Sequence, residues 1–367
     1  MPILIGPIIT GVLVDYGGFS NKAAGLTAGY GSIGAVAVAL LCALNMHRLP
    51  LRPLAFCGAF MALGANLVAA KFYATLEVFY VCRVIAALGD GAIYAAVMSA
   101  FARESQSERC YGMFMMLQFG LAAVGLWGLP TFFPHMTPTV MYLGFAALNV
   151  LALLLLPGLP KQAAAAAGLS LKASEWRLLL SLPAMGGLLA LFAFEGSNVG
   201  TDAYMERVAV FASYSDAQIG KVLGIASLVG VPAAFAIFFV SKNLGHHIPV
   251  LCGVAIGATS LFALMHADSY AGFFVWTCIH SASWAFTTPY IQSILADMDP
   301  GGAVVTAGGI ASGAGAGVGP AAMAMRVTAE DYSGVLMVGL ALYLCCAVAI
   351  TISVIAMRRG LSQPLAS

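Results

Sequence analysis

The chain has 367 residues, 61% of them apolar and only 8% charged, with a mean hydropathy of +0.94 and a formal net charge of +1. Soluble domains carry about 25% charged residues, so this composition excludes a soluble globular protein and points to an integral membrane protein. Near-neutrality without a basic cluster argues against a nucleic-acid partner. Eight cysteines (42, 57, 82, 110, 252, 278, 345, 346), with no C-x-x-C spacing, read as small residues of membrane helices rather than disulfides or metal ligands.

Hydropathy predicts twelve apolar spans, at 2–14, 23–44, 53–70, 76–102, 110–129, 139–157, 177–201, 217–241, 248–266, 271–296, 303–326 and 333–357. An even count puts both termini on one side. No charged region precedes the first apolar run, so no cleavable signal is read there. That first span has ~13 residues, or ~20 Å of helix against a ~30 Å hydrocarbon core. The expectation is a chain that begins inside its first transmembrane helix. The Pro-, Lys- and Ala-containing stretch at the middle divides the chain into an N-terminal bundle (1–157), a linker (158–176), a C-terminal bundle (177–357) and a short tail (358–367). With the N-terminus inside, ten Lys/Arg face the cytoplasm (Arg48, Arg52, Arg103, Arg109, Lys161, Lys172, Arg177, Lys242, Arg358, Arg359). Five face the other side (Lys22, Lys71, Arg207, Lys221, Arg326). The excess predicts a multi-pass protein of the cell (inner or plasma) membrane with cytoplasmic N-terminus, linker and C-terminus.

An internal repeat supports the six-plus-six division. Phe19-Ser-Asn-Lys-Ala-Ala-Gly25, entering the second span, recurs 195 residues later as Tyr214-Ser-Asp-Ala-Gln-Ile-Gly220, entering the eighth. The same offset superposes 76–102 on 271–297 and 110–129 on 305–324.

Charges inside the spans are the candidates for function, because an unpaired one costs a few kcal/mol or more in lipid. On the fourth span Arg83, Ala87, Asp90 and Tyr94 form one stripe, and Cys82, Ala86, Gly89, Ala96 and Ala100 form a nearly opposite small-residue stripe suited to close helix contact. Arg83 is expected to pair with Asp90 or Glu77; Asp90 is equally readable as proton carrier or as counter-ion. On the seventh span Glu195, Asp202 and Glu206 share a stripe flanked by Asn198, with Asp202 and Glu206 expected at the solvated mouth and Glu195 within the membrane. On the tenth, Trp276, His280, Ser283, Trp284 and Thr287 share a face that suits contact with a partly apolar solute, and Pro289 loosens the same helix. A lone histidine is more often a satisfied hydrogen-bonding residue than a switch. Gln118 and Asn66 are weaker cavity candidates, and the glycine-rich 308–319 segment is expected to pack closely.

Other chemistries find little support. His246-His247 lacks the spacing and glutamate of a zinc helix, and there is no G-x-S-x-G or Walker loop. Ala87-Leu-Gly-Asp90 falls one residue short of the G-x-G-D of intramembrane aspartyl proteases, and the third span supplies no second aspartate.

The fourth span reads Arg83-Val-Ile-Ala-Ala87-Leu-Gly89-Asp90-Gly91, close to an R-x-x-x-G-x-G-x-G pattern with Ala87 in place of the first glycine. With twelve spans, a mid-chain linker and two parallel halves, the whole chain resembles the major facilitator superfamily. Several of that family's motifs are weak here. Asn45-Met-His-Arg-Leu-Pro-Leu-Arg52 keeps only the basic character of G-x-x-x-D-R-x-G-R-R, and Ser241-Lys-Asn-Leu-Gly245-His246-His247 keeps its glycine but has His-His for Arg-Arg. The antiporter pattern G-x-x-x-G-P-x-x-G-G is poorly met by Gly120–Pro130, and a closer echo, Gly313-Ala-Gly-Ala-Gly317-Val-Gly-Pro320, falls in the eleventh span. The resemblance implies an all-α membrane protein of two parallel six-helix bundles that rock about a midplane site. It casts Arg83 as the family arginine of substrate or proton handling. Because the first helix of each half lines the central cavity in that fold, it makes Glu195 a proton or cation site.

The expected function is secondary active transport of a small organic solute, coupled to protons through Glu195 and Asp90. Arg83 serves as charge partner or as anchor for an organic anion, and Tyr94, Gln118, Asn198, Trp276, His280 and Trp284 serve as pocket residues, favouring a solute with an apolar or aromatic part. No cofactor or metal is expected, and the partners are the solute, protons and the lipid bilayer. A polytopic intramembrane enzyme and a non-transporting sensor of the same architecture are the alternatives; no enzymatic activity is expected.

Overall fold

The computed structural model describes residues 5–45, 50–101, 117, 120–129, 136–159, 177–236, 245–298, 303–327 and 332–361. Eleven helices are placed among them: α1 Gly6–Asp15, α2 Asn21–Asn45, α3 Leu51–Phe72, α4 Leu76–Phe101, α5 Pro138–Leu155, α6 Leu182–Phe211, α7 Asp216–Phe235, α8 His247–Leu264, α9 Tyr270–Met298, α10 Ala303–Ala324 and α11 Ser333–Leu361. A further helical run over 120–128 lies in the span expected at 110–129. Eight of the described helices are long and apolar enough to cross a bilayer. Each expected span therefore has a helical counterpart. The clearest shift is in the seventh, where the helix runs Leu182–Phe211 rather than 177–201.

Local chemistry sets where these helices begin. Ser20 accepts a hydrogen bond from the Ala23 amide at 3.1 Å, Thr137 from Val140 at 3.3 Å and Ser181 from Ala184 at 3.4 Å. Ser215 and Gln218 close a reciprocal capping box on α7. Each cap satisfies an amide with no intrahelical partner, worth about 1 kcal/mol. The last turn of α5 is finished from a distance: Arg52, at the start of α3, donates to the Pro157 carbonyl at 2.6 Å and the Leu159 carbonyl at 2.9 Å. A cation at the negative end of a helix is favourable.

The internal repeat is visible as geometry. Helices begin at Asn21 and Asp216, Leu51 and His247, Leu76 and Tyr270, and Pro138 and Ser333, separations of 195, 196, 194 and 195 residues. Ser20 and Ser215, the repeated serines, cap equivalent helices. Two residues before each lies a left-handed turn position, Gly18 at φ 72° and Ser213 at φ 63°. Even an aromatic contact recurs: Phe19 meets Phe79 at 5.3 Å between ring centroids, and Tyr214 meets Phe273 at 5.5 Å.

Within the N-terminal group of helices α4 packs on both α2 and α3, and α3 on α5; in the C-terminal group α6 packs on α10 and α11, and α9 on α7 and α8. The small-residue stripe of α4 is buried as expected, with Cys82, Ala86, Ala96 and Ala100 each no more than 6% exposed. Large apolar side chains such as Val81, Leu154, Leu155 and Leu344 instead cover the outer surface, as lipid requires. The two groups meet through α1 on α6 and α2 on α10. Residues 123 and 127 of the helical run over 120–128 reach Gly224 of α7.

Glycines on α10 explain how it can lie between two partners. A Cβ on Gly315 or Gly319 would overlap the backbone of Phe192 or Gly196 on α6, whereas one on Gly317 would overlap Ser32 of α2. Residues four apart share a helix face, so Gly315 and Gly319 serve one neighbour while Gly317 serves the other. The glycine-rich segment packs closely, as expected, and it does so where the two groups of helices meet.

Candidate transport pathway

Among the described residues each group of helices holds a buried polar system of its own. In the N-terminal group Arg83 of α4 is 8% exposed, and its guanidinium donates to Asn66 Oδ1 of α3 at 3.3 Å while lying 5.4 Å from the Tyr142 ring. Asn66 Nδ2 donates to Asn149 Oδ1 of α5 at 2.9 Å, and Asn149 Nδ2 donates to Asp90 Oδ1 at 3.4 Å. Arg83 and Asp90 are thus joined through two amides in series and not by the direct ion pair that their spacing suggested. Glu77 is exposed and forms no ion pair with Arg83 among the described residues. Amides can do this because each offers donor and acceptor, passing the polarity of one charge to the other. Asn149 had no sequence signal beyond being a polar residue in an apolar span. Tyr94, on the same stripe, is 53% exposed and does not join Arg83 and Asp90 in the buried system.

In the C-terminal group Glu195 of α6 is 6% exposed and accepts from Thr288 Oγ1 of α9 at 3.3 Å. One turn on, Asn198 donates to the Phe194 carbonyl at 2.8 Å and accepts from Tyr343 of α11 at 2.8 Å. His280 of α9 places Nδ1 3.4 Å from the Tyr343 hydroxyl and 3.5 Å from Ser260 of α8. A small cavity of about 30 Å³ is lined by Asp202, Ser227, Thr277, His280, Ser281 and Trp284 with apolar walls that include Leu126 of the N-terminal group. The expected face of α9 therefore splits. His280 and Trp284 turn to this cavity, whereas Ser283 donates to the Gly253 carbonyl at 2.8 Å and Thr287 packs on Gly253, both against α8. Trp276 is half-buried against the core and does not line the cavity. Gln118 lies outside the described residues.

The solvated mouth expected for Asp202 and Glu206 is corrected by the structure. Asp202 is half-buried on the cavity wall, and Glu206 is 1% exposed. Glu206 is held by Arg207, whose guanidinium bonds it at 2.6 Å through both Nε and Nη2 and grips Asp15 of α1 at 2.7 and 2.5 Å. Gly11 faces the same carboxylate, where a Cβ would come within 3.0 Å of its oxygens. Three charged residues in six positions depress any hydropathy window, which is why the sequence ended this span early. Mutual neutralisation lets the helix continue through them. The Tyr204 hydroxyl adds a second tie across the groups, to the Asn21 carbonyl at 3.3 Å. Among the described residues no group of three His, Cys, Asp or Glu converges to hold a metal ion.

A model of the Major Facilitator Superfamily matches residues 3–324. The chain belongs to that family. It is a multi-pass membrane protein of transporter architecture. In this setting the α4 motif has a packing explanation: a Cβ on Gly89 would enter the backbone of Gly58 and Ala62 on α3, and one on Gly91 would strike Val38 on α2. The glycines flanking Asp90 thus let α4 seat against two neighbours at once. Among solved structures, the fold is similar to that of the nucleoside transporter NupG, at 14% identity over 98% of this chain and 96% of that one with a TM-score of 0.69. A variant of NupG superposes with a TM-score of 0.72 at 15% identity over 96% of each chain. The human organic anion transporter MFSD10 (TETRAN) gives 0.60 at 16% identity over 97% of this chain and 94% of that one. No curated protein matches the chain in sequence.

Proposed function

We propose that this protein is a secondary active transporter that moves a small organic solute by alternating access, with protons as the coupling ion. The observation that carries the reading is the buried carboxyl of Glu195, on the first helix of the C-terminal group. It sits beside Trp284 and Thr288 and close in sequence to the cavity at the boundary of the two groups. A carboxyl held away from water in a membrane helix, with a hydroxyl donor but no cation at its side among the described residues, is suited to gain and lose a proton as access changes.

The contacts between the groups support an inward-facing state. They gather at the Asp15, Asn21, Tyr204 and Arg207 end and along α2 through Gly25 and Gly29, against Tyr204, Ala321 and Ala324. With the N-terminus cytoplasmic, that end is extracellular. Asp90, joined to Arg83 through Asn66 and Asn149, serves in this reading to hold the N-terminal helices together, with Glu195 as the proton site. A nucleoside is the first solute to test, given the likeness to NupG.

The test is uptake of radiolabelled uridine into proteoliposomes with and without a pH gradient. Glu195→Gln should abolish the stimulation by the gradient while leaving exchange of internal for external solute intact. Gradient-driven uptake that survives this substitution unchanged would remove Glu195 from coupling.

A further inference from the structure

The proton positions around His280 fix what its free edge can do. Tyr343 donates its only hydroxyl hydrogen to Asn198 Oδ1, which is the acceptor because Asn198 Nδ2 is spent on the Phe194 carbonyl. Ser260 likewise donates to the Gly257 carbonyl at 2.6 Å. Both neighbours of His280 Nδ1 are therefore acceptors towards it, so Nδ1 carries the ring hydrogen and Nε2 of the neutral imidazole presents a bare lone pair. His280 is 4% exposed and lines the cavity, and Nε2 is buried with no partner among the described residues.

The rest of the wall is mixed: Asp202 adds a second acceptor, while the Ser227 and Ser281 hydroxyls can donate or accept. Asp202 offers a carboxyl oxygen as acceptor in either protonation state. Thr277 uses its hydrogen on the Phe273 carbonyl at 2.7 Å. Among the described residues no lysine or arginine lines the cavity: Arg207, five residues beyond Asp202, is held by Asp15 and Glu206, and Arg83 lies between α3, α4 and α5. A buried acceptor without a donor is costly, and the cavity has room for only about one or two waters.

We infer that the cavity framed by His280, Asp202 and Trp284 is a recognition site for hydrogen-bond donors, so that the solute is an uncharged or cationic aromatic molecule bearing N–H or O–H groups and not an organic anion. This rests on the transporter reading and narrows it. Two lone-pair faces meet the solute's donors, and the Trp284 ring meets its apolar part. Leu126, the wall from the N-terminal group, must withdraw to admit a molecule of that size when the groups rock. An anion would meet no lysine or arginine among the described lining residues to receive its charge.

The experiment is thermal stabilisation of the purified full-length protein by three probes: uridine (neutral), tyramine (cationic) and uridine 5′-monophosphate (anionic). Stabilisation by uridine or tyramine and none by the monophosphate is expected; which of the two acts separates a neutral from a cationic solute. His280→Leu should weaken the response about tenfold, the worth of one buried hydrogen bond. His280→Gln, which returns an acceptor at similar reach, should restore part of it. Stabilisation by the monophosphate as strong as by uridine, no response to either donor-bearing probe, or an unchanged response in His280→Leu overturns the inference. Exchange of the same probe in proteoliposomes separates the two claims. Binding without flux would keep the site and remove the transporter, whereas flux indifferent to His280→Leu would keep the transporter and remove the site.

Discussion

Replacing Arg207 by Gln tests the tie between the two groups of helices most directly. The Arg207 side chain is 5% exposed, and its partners differ sharply: Glu206 is 1% exposed and Asp15 is 40% exposed. Loss of the guanidinium strands the Glu206 carboxylate against Gly11 with no cation, and leaving one member of a buried ion pair alone costs about 3–5 kcal/mol. Asp15→Asn should be milder, because water reaches that carboxylate and screened pairs are worth at most about 1 kcal/mol. That smaller loss falls on the contact between α1 and α6. It should therefore shift the balance of open and closed states about fivefold without unfolding the protein. Melting temperature in detergent reads the first effect. A spin-label pair replacing the exposed Lys22 and Lys221, one on each group, reads the second as a longer distance component. The double change Glu206→Leu with Arg207→Leu should recover most of the stability lost in Arg207→Gln, since an apolar pair needs no neutralisation. If Arg207→Gln melts with the parent and the Lys22–Lys221 distance is unaltered in Asp15→Asn, the cluster is not the tie described here.

The remaining expectations concern packing and the buried amides. Asn149→Leu interrupts the path from Arg83 to Asp90 and leaves Asn66 Oδ1 and Nδ2 unequally satisfied, so melting should fall by the equivalent of about 1–3 kcal/mol; a stability equal to the parent would mean that the amides are not coupled. Gly319→Ala drives a methyl into the Gly196 backbone and should cost about 1–3 kcal/mol. Gly309→Ala, on the same helix with open space around the new carbon, should be neutral or gain up to about 1 kcal/mol in helix propensity. Equal melting shifts for the two glycine variants would refute the close approach of α6 and α10. Arg52→Gln, removing the cation from the Pro157 and Leu159 carbonyls, should lower stability by about 1 kcal/mol, read in the same melting assay.

The pathway was partly legible in the residues themselves. Glu195, Asn198, His280 and Trp284 were singled out from polarity and helical phase, and they lie together around Tyr343, Thr288 and the cavity. Tyr343, Ser260 and Asn149 gave no comparable signal, because a single hydroxyl or amide in an apolar span does not say which way it points. Asp15 and Arg207 could not be matched by any local rule, since they stand 192 positions apart. Trp276 was drawn in by phase alone, and phase cannot say which neighbour a helix face meets.

What composition and periodicity settle is the class of molecule: a run of apolar segments of bilayer length, a 195-residue offset between matching entry motifs, and serines at the mouths of equivalent helices. These are properties of short stretches, governed by hydration of the backbone and by side chains reaching their own helix ends. Which charges neutralise one another is a different matter. Arg83 and Asp90, on one stripe of one helix, are joined only through amides on α3 and α5. Glu206 can stay buried because an aspartate 192 positions before its arginine meets that arginine. A buried charge is stable only with its partners present, and the fold alone brings those partners together.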